Sequence, residues 1–162
     1  MEPKVDIRTR WERYVADVPP DESAINKTAF HLLRRGKAPS ISEVAGNLGL
    51  KITRCRALLE AMSAKGIVTV DEDLVTGAGG LSVVPTSHQM NLKGVRLYCW
   101  CALDTLGIPA ALAEDAEITS VDGLKGGQMN LRFEGGHLVE APHPLYLQLA
   151  PPDQTRLLCG GT

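Results

Sequence analysis

The spacing of apolar residues changes character partway along this chain, and that change limits the fold more than any other feature. Through residues 22–66 they recur every three or four positions. From Ala116 onward they come in short runs with glycine between them. The first pattern buries one stripe of a helix, and the second suits the strands of a sheet. The expectation is an α+β protein, a winged-helix-like helical module followed by a small antiparallel sheet packed on helices.

The helices can be bounded. A short amphipathic opening, Ile7 to Val18 with Trp11 and Tyr14, ends at Pro19-Pro20. A first helix is expected from Glu22 to Arg35, with Ile25, Ala29, Leu32 and Leu33 on its apolar face and Gly36 and Pro39 stopping it. Ser40-Ile41-Ser42-Glu43 has the form of a capping box, and Ile41, Val44, Ala45 and Leu48 then repeat at helical spacing up to Gly49. Ile52, Cys55, Leu58, Leu59 and Met62 mark a third helix closing at Lys65-Gly66. Ile67 to Val70 and Leu81 to Val84 read as the two strands of a wing. Residues 1–84 are thus expected to form one module and residues 85–162 a second. In the second, strands are expected over 116–121, 128–133, 137–139 and 145–149. Gly126-Gly127 and Gly135-Gly136 read as hairpin turns; neither opens a helix, which argues against a phosphate loop.

Charge follows the same division. Residues 24–66 hold Lys27, Arg34, Arg35, Lys37, Lys51, Arg54, Arg56 and Lys65 against Glu43 and Glu60, a net of +6, while the whole 162-residue chain carries −2. The remainder therefore carries −8. Two readings fit the basic helix of residues 51–65. Lys51, Arg54 and Arg56 stand where a recognition helix contacts DNA phosphates, or they are the solvated face of a scaffold. No apolar stretch reaches the roughly 18 residues a membrane span needs, and Met1 to Asp6 has no signal-peptide core, so the cytoplasm is the expected location.

Four cysteines, Cys55, Cys99, Cys101 and Cys159, are too few and too unevenly placed for a disulfide framework. Cys55 holds an apolar helix position and reads as a core thiol. The run Leu97-Tyr98-Cys99-Trp100-Cys101-Ala102-Leu103-Asp104-Thr105-Leu106 reads as a short helix ended by Gly107-Ile108-Pro109. It sets the Cys101 thiol and the Asp104 carboxylate three residues apart on one face. Cys99 and Cys101 would point about 200° apart in a helix but share a face in an extended segment; Cys99 is read here as filling a small-residue position. His31, His88, His137 and His143 are scattered without ligand spacing. A zinc site from Cys99, Cys101, Cys159 and one histidine lacks the paired Cys-x-x-Cys signature.

The run resembles the active-site helix of the alkylmercury (organomercurial) lyases, Tyr-x-Trp-Cys-Ala-Leu-Asp-Thr, with seven identities. The resemblance extends over residues 40–159 and is strongest from Arg96 to Pro109. Asp122 stands where many members carry an additional cysteine, and Asp153 to Cys159 resembles the approach to the family's second catalytic cysteine. Family chains continue beyond that cysteine through a segment rich in His, Phe and Trp, whereas this sequence ends at Thr162, so the likeness is to a C-terminally short member.

The resemblance implies protonolysis of a carbon–mercury bond to a hydrocarbon and Hg(II), as in mercuric resistance. Cys101 would be the attacking thiol, Cys159 the second thiol and Asp104 the proton shuttle. Cys101 and Cys159 would hold Hg(II) transiently, and no cofactor is implied. The partners implied are the organomercurial and, as acceptor of Hg(II), a low-molecular-weight thiol or a mercuric reductase. The family's comparable helical region is not used on DNA. The alternative is a non-catalytic, thiol-based metal sensor that binds DNA. The lyase chemistry sets an electrostatic condition. A carboxylate beside a thiol discourages its ionisation, so Asp104 helps only as acceptor of the thiol proton, which requires a raised carboxyl pKa and partial burial.

Overall fold

The computed structural model describes residues 18–123 and 125–145. The amphipathic opening before Val18, the expected strand at 145–149 beyond Leu145, and Cys159 lie outside the described residues.

Three helices open the fold. Pro20 occupies the first turn of α1 (Pro20–Leu33), where its missing N–H costs nothing, and Asp21 and Glu22 complement the helix dipole there. The Ser40 hydroxyl caps α2 (Ile41–Leu48) by accepting the Glu43 N–H at 3.1 Å, and Gly49 ends it in the left-handed conformation at φ 65°. α3 spans Ile52–Ala64. Ile25, Leu33, Val44, Leu59 and Met62 are all wholly buried between these helices and the sheet, each contributing about 1.5–3 kcal/mol from the area removed from water. These helices match the sequence expectation closely.

The strands differ more. β1 (Val68–Asp71) turns through Glu72 and Asp73 into β2 (Leu74–Ala78), which in turn pairs with the two-residue β3 (Leu81–Ser82). The hairpin partner of β1 is thus Leu74–Ala78, not 81–84, because Glu72 accepts φ 50° and permits a tight turn. A second hairpin, β4 (His88–Leu92) and β5 (Val95–Cys99), was not anticipated. Lys93 (φ 50°) and Gly94 (φ 85°) form its two-residue turn, both central residues left-handed. β6 (Ala116–Val121), β7 (Gln128–Glu134) and β8 (His137–Glu140) follow the expected bounds to within a residue, joined at the two glycine pairs.

Among the described residues all eight strands form one antiparallel sheet, in the order β1-β2-β3-β5-β4-β6-β7-β8. Strands from before residue 84 and from after residue 85 belong to this same sheet. The helix α4 (Ala102–Leu112) lies against β4, β5, β6 and β8. It carries Pro109 inside it instead of ending there. Proline forfeits one backbone bond at that point, but burial of Ile108 and Pro109 holds the last turn against the sheet. Ala113, left-handed at φ 51°, closes the helix. Glu114, just past α4, ties the end of α1 to the β4–β5 turn: it accepts Arg34 at 2.6 and 2.8 Å and Lys93 at 3.0 Å. No helix among the described residues is long and apolar enough to cross a membrane.

Candidate active site

The run expected to be one helix is a strand, a corner and a helix. Tyr98 and Cys99 complete β5, opposite Ser82 and Leu81. The pairing continues one step further, with the Trp100 N–H on the Gly80 carbonyl at 2.9 Å. An apolar run without clear period can form either element; here the edge of β3 decides in favour of strand. The helix begins only at Ala102, and Cys101 is its N-cap, in extended conformation at φ −145° and ψ 169°.

Cys101 and Asp104 still meet, by a different route. They form a capping box in which a thiol replaces the usual hydroxyl: the Cys101 side chain accepts the Asp104 backbone N–H, and the Asp104 carboxyl reaches back. Oδ2 of Asp104 accepts both the Cys101 N–H at 3.0 Å and the Cys101 Sγ–H at 3.0 Å. The carboxyl group also lies on Gly80. That glycine is left-handed at φ +83°, and any β-carbon there would overlap the Asp104 carboxyl. Trp100 lies on the opposite face, over Gly77, where a β-carbon would come within 2.7 Å of the indole. The value of Gly77 and Gly80 lies in contacts with residues more than twenty positions away.

Electrostatics follow from this placement. Burial first, then the hydrogen bond and charge of the neighbouring thiol, push the Asp104 carboxyl up to about 8, while the Cys101 backbone N–H works in the opposite direction. At neutral pH most of the population therefore holds a proton on Asp104. An acid poised near the working pH can both take up and deliver a proton. The partial burial and raised affinity for a proton that a thiol–carboxylate pair requires are both present. Cys101 is partly accessible, whereas Cys99 is 0% exposed. Burial, reinforced by the charges of Asp104 and Cys101, pushes the Cys99 thiol far upward. Cys55 is also wholly covered, and burial raises it too, as expected of a core thiol.

His88 stands at the start of β4, its Nδ1 2.6 Å from the Ser120 hydroxyl, and burial lowers its pKa. The Thr86 hydroxyl links this strand to the corner by donating to the Cys99 carbonyl at 2.7 Å. Among the described residues no three His, Cys, Asp or Glu side chains gather as a metal site. The basic residues of α3 are engaged elsewhere: Arg54 with Asp21 at 2.6 Å and Arg56 with Asp73 at 2.7 Å, both within this chain.

Fold and site together define a class, an α+β protein in which a cysteine caps a helix and shares a proton with a half-buried carboxyl group. A family model described as alkylmercury lyase matches residues 81–157. The alkylmercury lyase of Bacillus cereus is 29% identical over 125 residues, covering 76% of this chain and 56% of that protein. That of Streptomyces lividans is 32% identical over 126 residues, covering 76% and 57%. The crystal structure of the mercury-bound form of MerB2 superposes with a TM-score of 0.75 at 26% identity, covering 82% of this chain and 65% of that one. The chain is thus similar to the alkylmercury lyases, and it spans little more than half the length of the curated relatives it matches.

Proposed function

We propose that this chain cleaves the carbon–mercury bond of organomercurials by protonolysis, releasing a hydrocarbon and Hg(II). The observation that carries the reading is the 3.0 Å contact between the Cys101 thiol and an Asp104 carboxyl held near pKa 8. Mercury is soft and prefers thiolate among protein ligands. Asp104, in the fraction that is ionised, takes the thiol proton as Cys101 bonds mercury. The pair then never carries two adjacent charges. Cys159 acts as the second thiol and shifts electron density onto the carbon, which receives the proton back from Asp104. The C–Hg bond breaks, a C–H bond forms, and Hg(II) stays on sulfur with no change of oxidation state. No resident cofactor enters this scheme.

The reading includes Hg(II) transfer to low-molecular-weight thiols or a mercuric reductase, in the cytoplasm. It also takes residues 1–84, with α1 to α3 and the β1–β2 hairpin, as a winged-helix-like support for the catalytic unit of residues 85–162. The rival reading, a DNA-binding sensor, gains nothing from α3, whose Arg54 and Arg56 are ion-paired within the chain. The test is benzene release from a phenylmercury salt in excess thiol. Release by the chain, and its loss in Cys101→Ala, Asp104→Ala and Cys159→Ser, is the expected result. Tight mercury binding without benzene would overturn the reading.

A further inference from the structure

The corner between β5 and α4 gives Cys99 a position that a helix would have denied it. Three observations fix its direction. Cys99 closes β5 opposite Leu81, the Trp100 N–H extends that pairing to Gly80, and Cys101 is itself extended at φ −145°. Side chains alternate along β5, so Cys99 faces away from Tyr98; the chain bends at Trp100 and Cys101, and Cys101, two residues on, is still near enough for its charge to act on the Cys99 thiol. The placement of Trp100 over Gly77 is an independent check. Gly77 pairs with Ser82, which pairs with Tyr98, so Trp100 lies on the Tyr98 side and Cys99 on the opposite side. Cys99 is 0% exposed.

From this juxtaposition we propose that Cys99 and Cys101 form a dithiol site for Hg(II), with Cys99 as an inner acceptor of the metal after Cys101 has bound it. The inference rests on the mercury chemistry proposed above and adds a residue that chemistry does not require. Two residues apart along a strand the backbone advances about 6.6 Å, and two sulfur atoms reaching toward each other from such positions can bracket one soft, two-coordinate ion. The exchange is balanced. Hg(II) held as Cys101-S–Hg–X, with X a chloride or small thiolate, gains a bond to Cys99 Sγ; the Hg–X bond breaks; X leaves, and the proton from Cys99 goes to X or to solvent. Nothing is oxidised or reduced. Because Cys99 is fully covered, mercury reaches it only from the Cys101 side, which would keep the product from solvent until an external thiol displaces it.

The experiment supplies Hg(II) as the chloride to the full chain carrying Cys159→Ser, so that no carbon–mercury bond needs breaking and the second thiol of the lyase scheme is absent. Retention of one Hg(II) per chain is followed under rising glutathione, on material shown to be monomeric by gel filtration. We expect Cys99→Ala in that background to lower the glutathione concentration that strips half the metal by at least tenfold, with circular dichroism unchanged. Equal retention with and without Cys99 would overturn the proposal. A second readout does not depend on the variant folding. X-ray absorption of the Cys159→Ser monomer at one equivalent of Hg(II), here supplied as the acetate with neither chloride nor added thiol, should give two sulfur neighbours. One sulfur and one lighter atom would equally overturn it. Benzene release by the parent chain is scored separately, so loss of the lyase reading and loss of the dithiol are told apart.

Discussion

Helices α3 and α4 each carry a cysteine, and the two differ in where along the helix it falls. Cys55 lies within α3, packed with Leu59 and Met62, its backbone N–H already bonded to the Lys51 carbonyl at 3.0 Å. Cys101 stands just ahead of α4, with its N–H and thiol both turned onto Asp104. A helix interior consumes its own polar groups and leaves a side chain only packing. A helix start leaves donors unsatisfied and invites a side chain to answer them. The same residue type is inert in one place and part of a proton-sharing pair in the other.

The sharpest break of this comparison is in activity. Cys101→Ala should reduce benzene release by about a thousandfold or more, in the range seen when a nucleophile is removed, while Cys55→Ala should leave kcat/KM within about twofold. Comparable losses in both would erase the distinction. Next comes the pH dependence of stability. Asp104 binds its proton more tightly folded, near pKa 8, than unfolded, near 3.8. The native state thus holds the extra proton between those values, and stability falls as pH rises from about 4 to 8. Asp104→Asn should remove that slope. Denaturant melts should find the variant favoured by roughly 2–4 kcal/mol at pH 8.5, after allowance for screening at a half-covered site, and little favoured at pH 4. Parallel pH profiles would contradict the placement of the carboxyl group.

Gly80→Ala tests the support behind the acid. A left-handed alanine costs about 1–2 kcal/mol, and its β-carbon would displace Asp104. A lower melting temperature together with a shifted pH profile for benzene release is expected; a lower melting temperature alone would make Gly80 merely a turn residue. The smallest effect sharpens the inert side. Cys55→Ala should cost about 1–2 kcal/mol in urea, from the cavity left in the helix core, and in the parent chain a thiol reagent should label Cys101 well before Cys55 or Cys99.

Legibility in the sequence followed the same line between local and distant causes. α1 to α3 were readable because Ile25, Ala29, Leu32 and their counterparts repeat at helical period between clear stops such as Gly49. The β4–β5 hairpin left a shorter trace. Met90 and Leu92 alternate with Gln89 and Asn91 ahead of the Lys93-Gly94 turn, and five residues of alternation are easily taken for an irregular lead-in. The strand character of Tyr98 and Cys99 was not local at all, since β3 imposes it. Cys101 and Asp104 were legible as a pair from spacing alone, because i and i+3 meet in a capping box as they do along a helix face. Pro109 misled because a helix stop was inferred from the backbone bond it loses, with no knowledge of the sheet beneath it.

The sheet has a narrow waist. β3 contributes only Leu81 and Ser82, and through those two residues the strands on the helical side are joined to the rest. A shearing load between the halves would find its weakest ladder there, resisted from afar by the Arg34–Glu114–Lys93 clamp. Asp104 rests directly against that waist at Gly80. The proton on this acid therefore reports on the seam: if it slips, water reaches the carboxyl group and its hold on the proton relaxes.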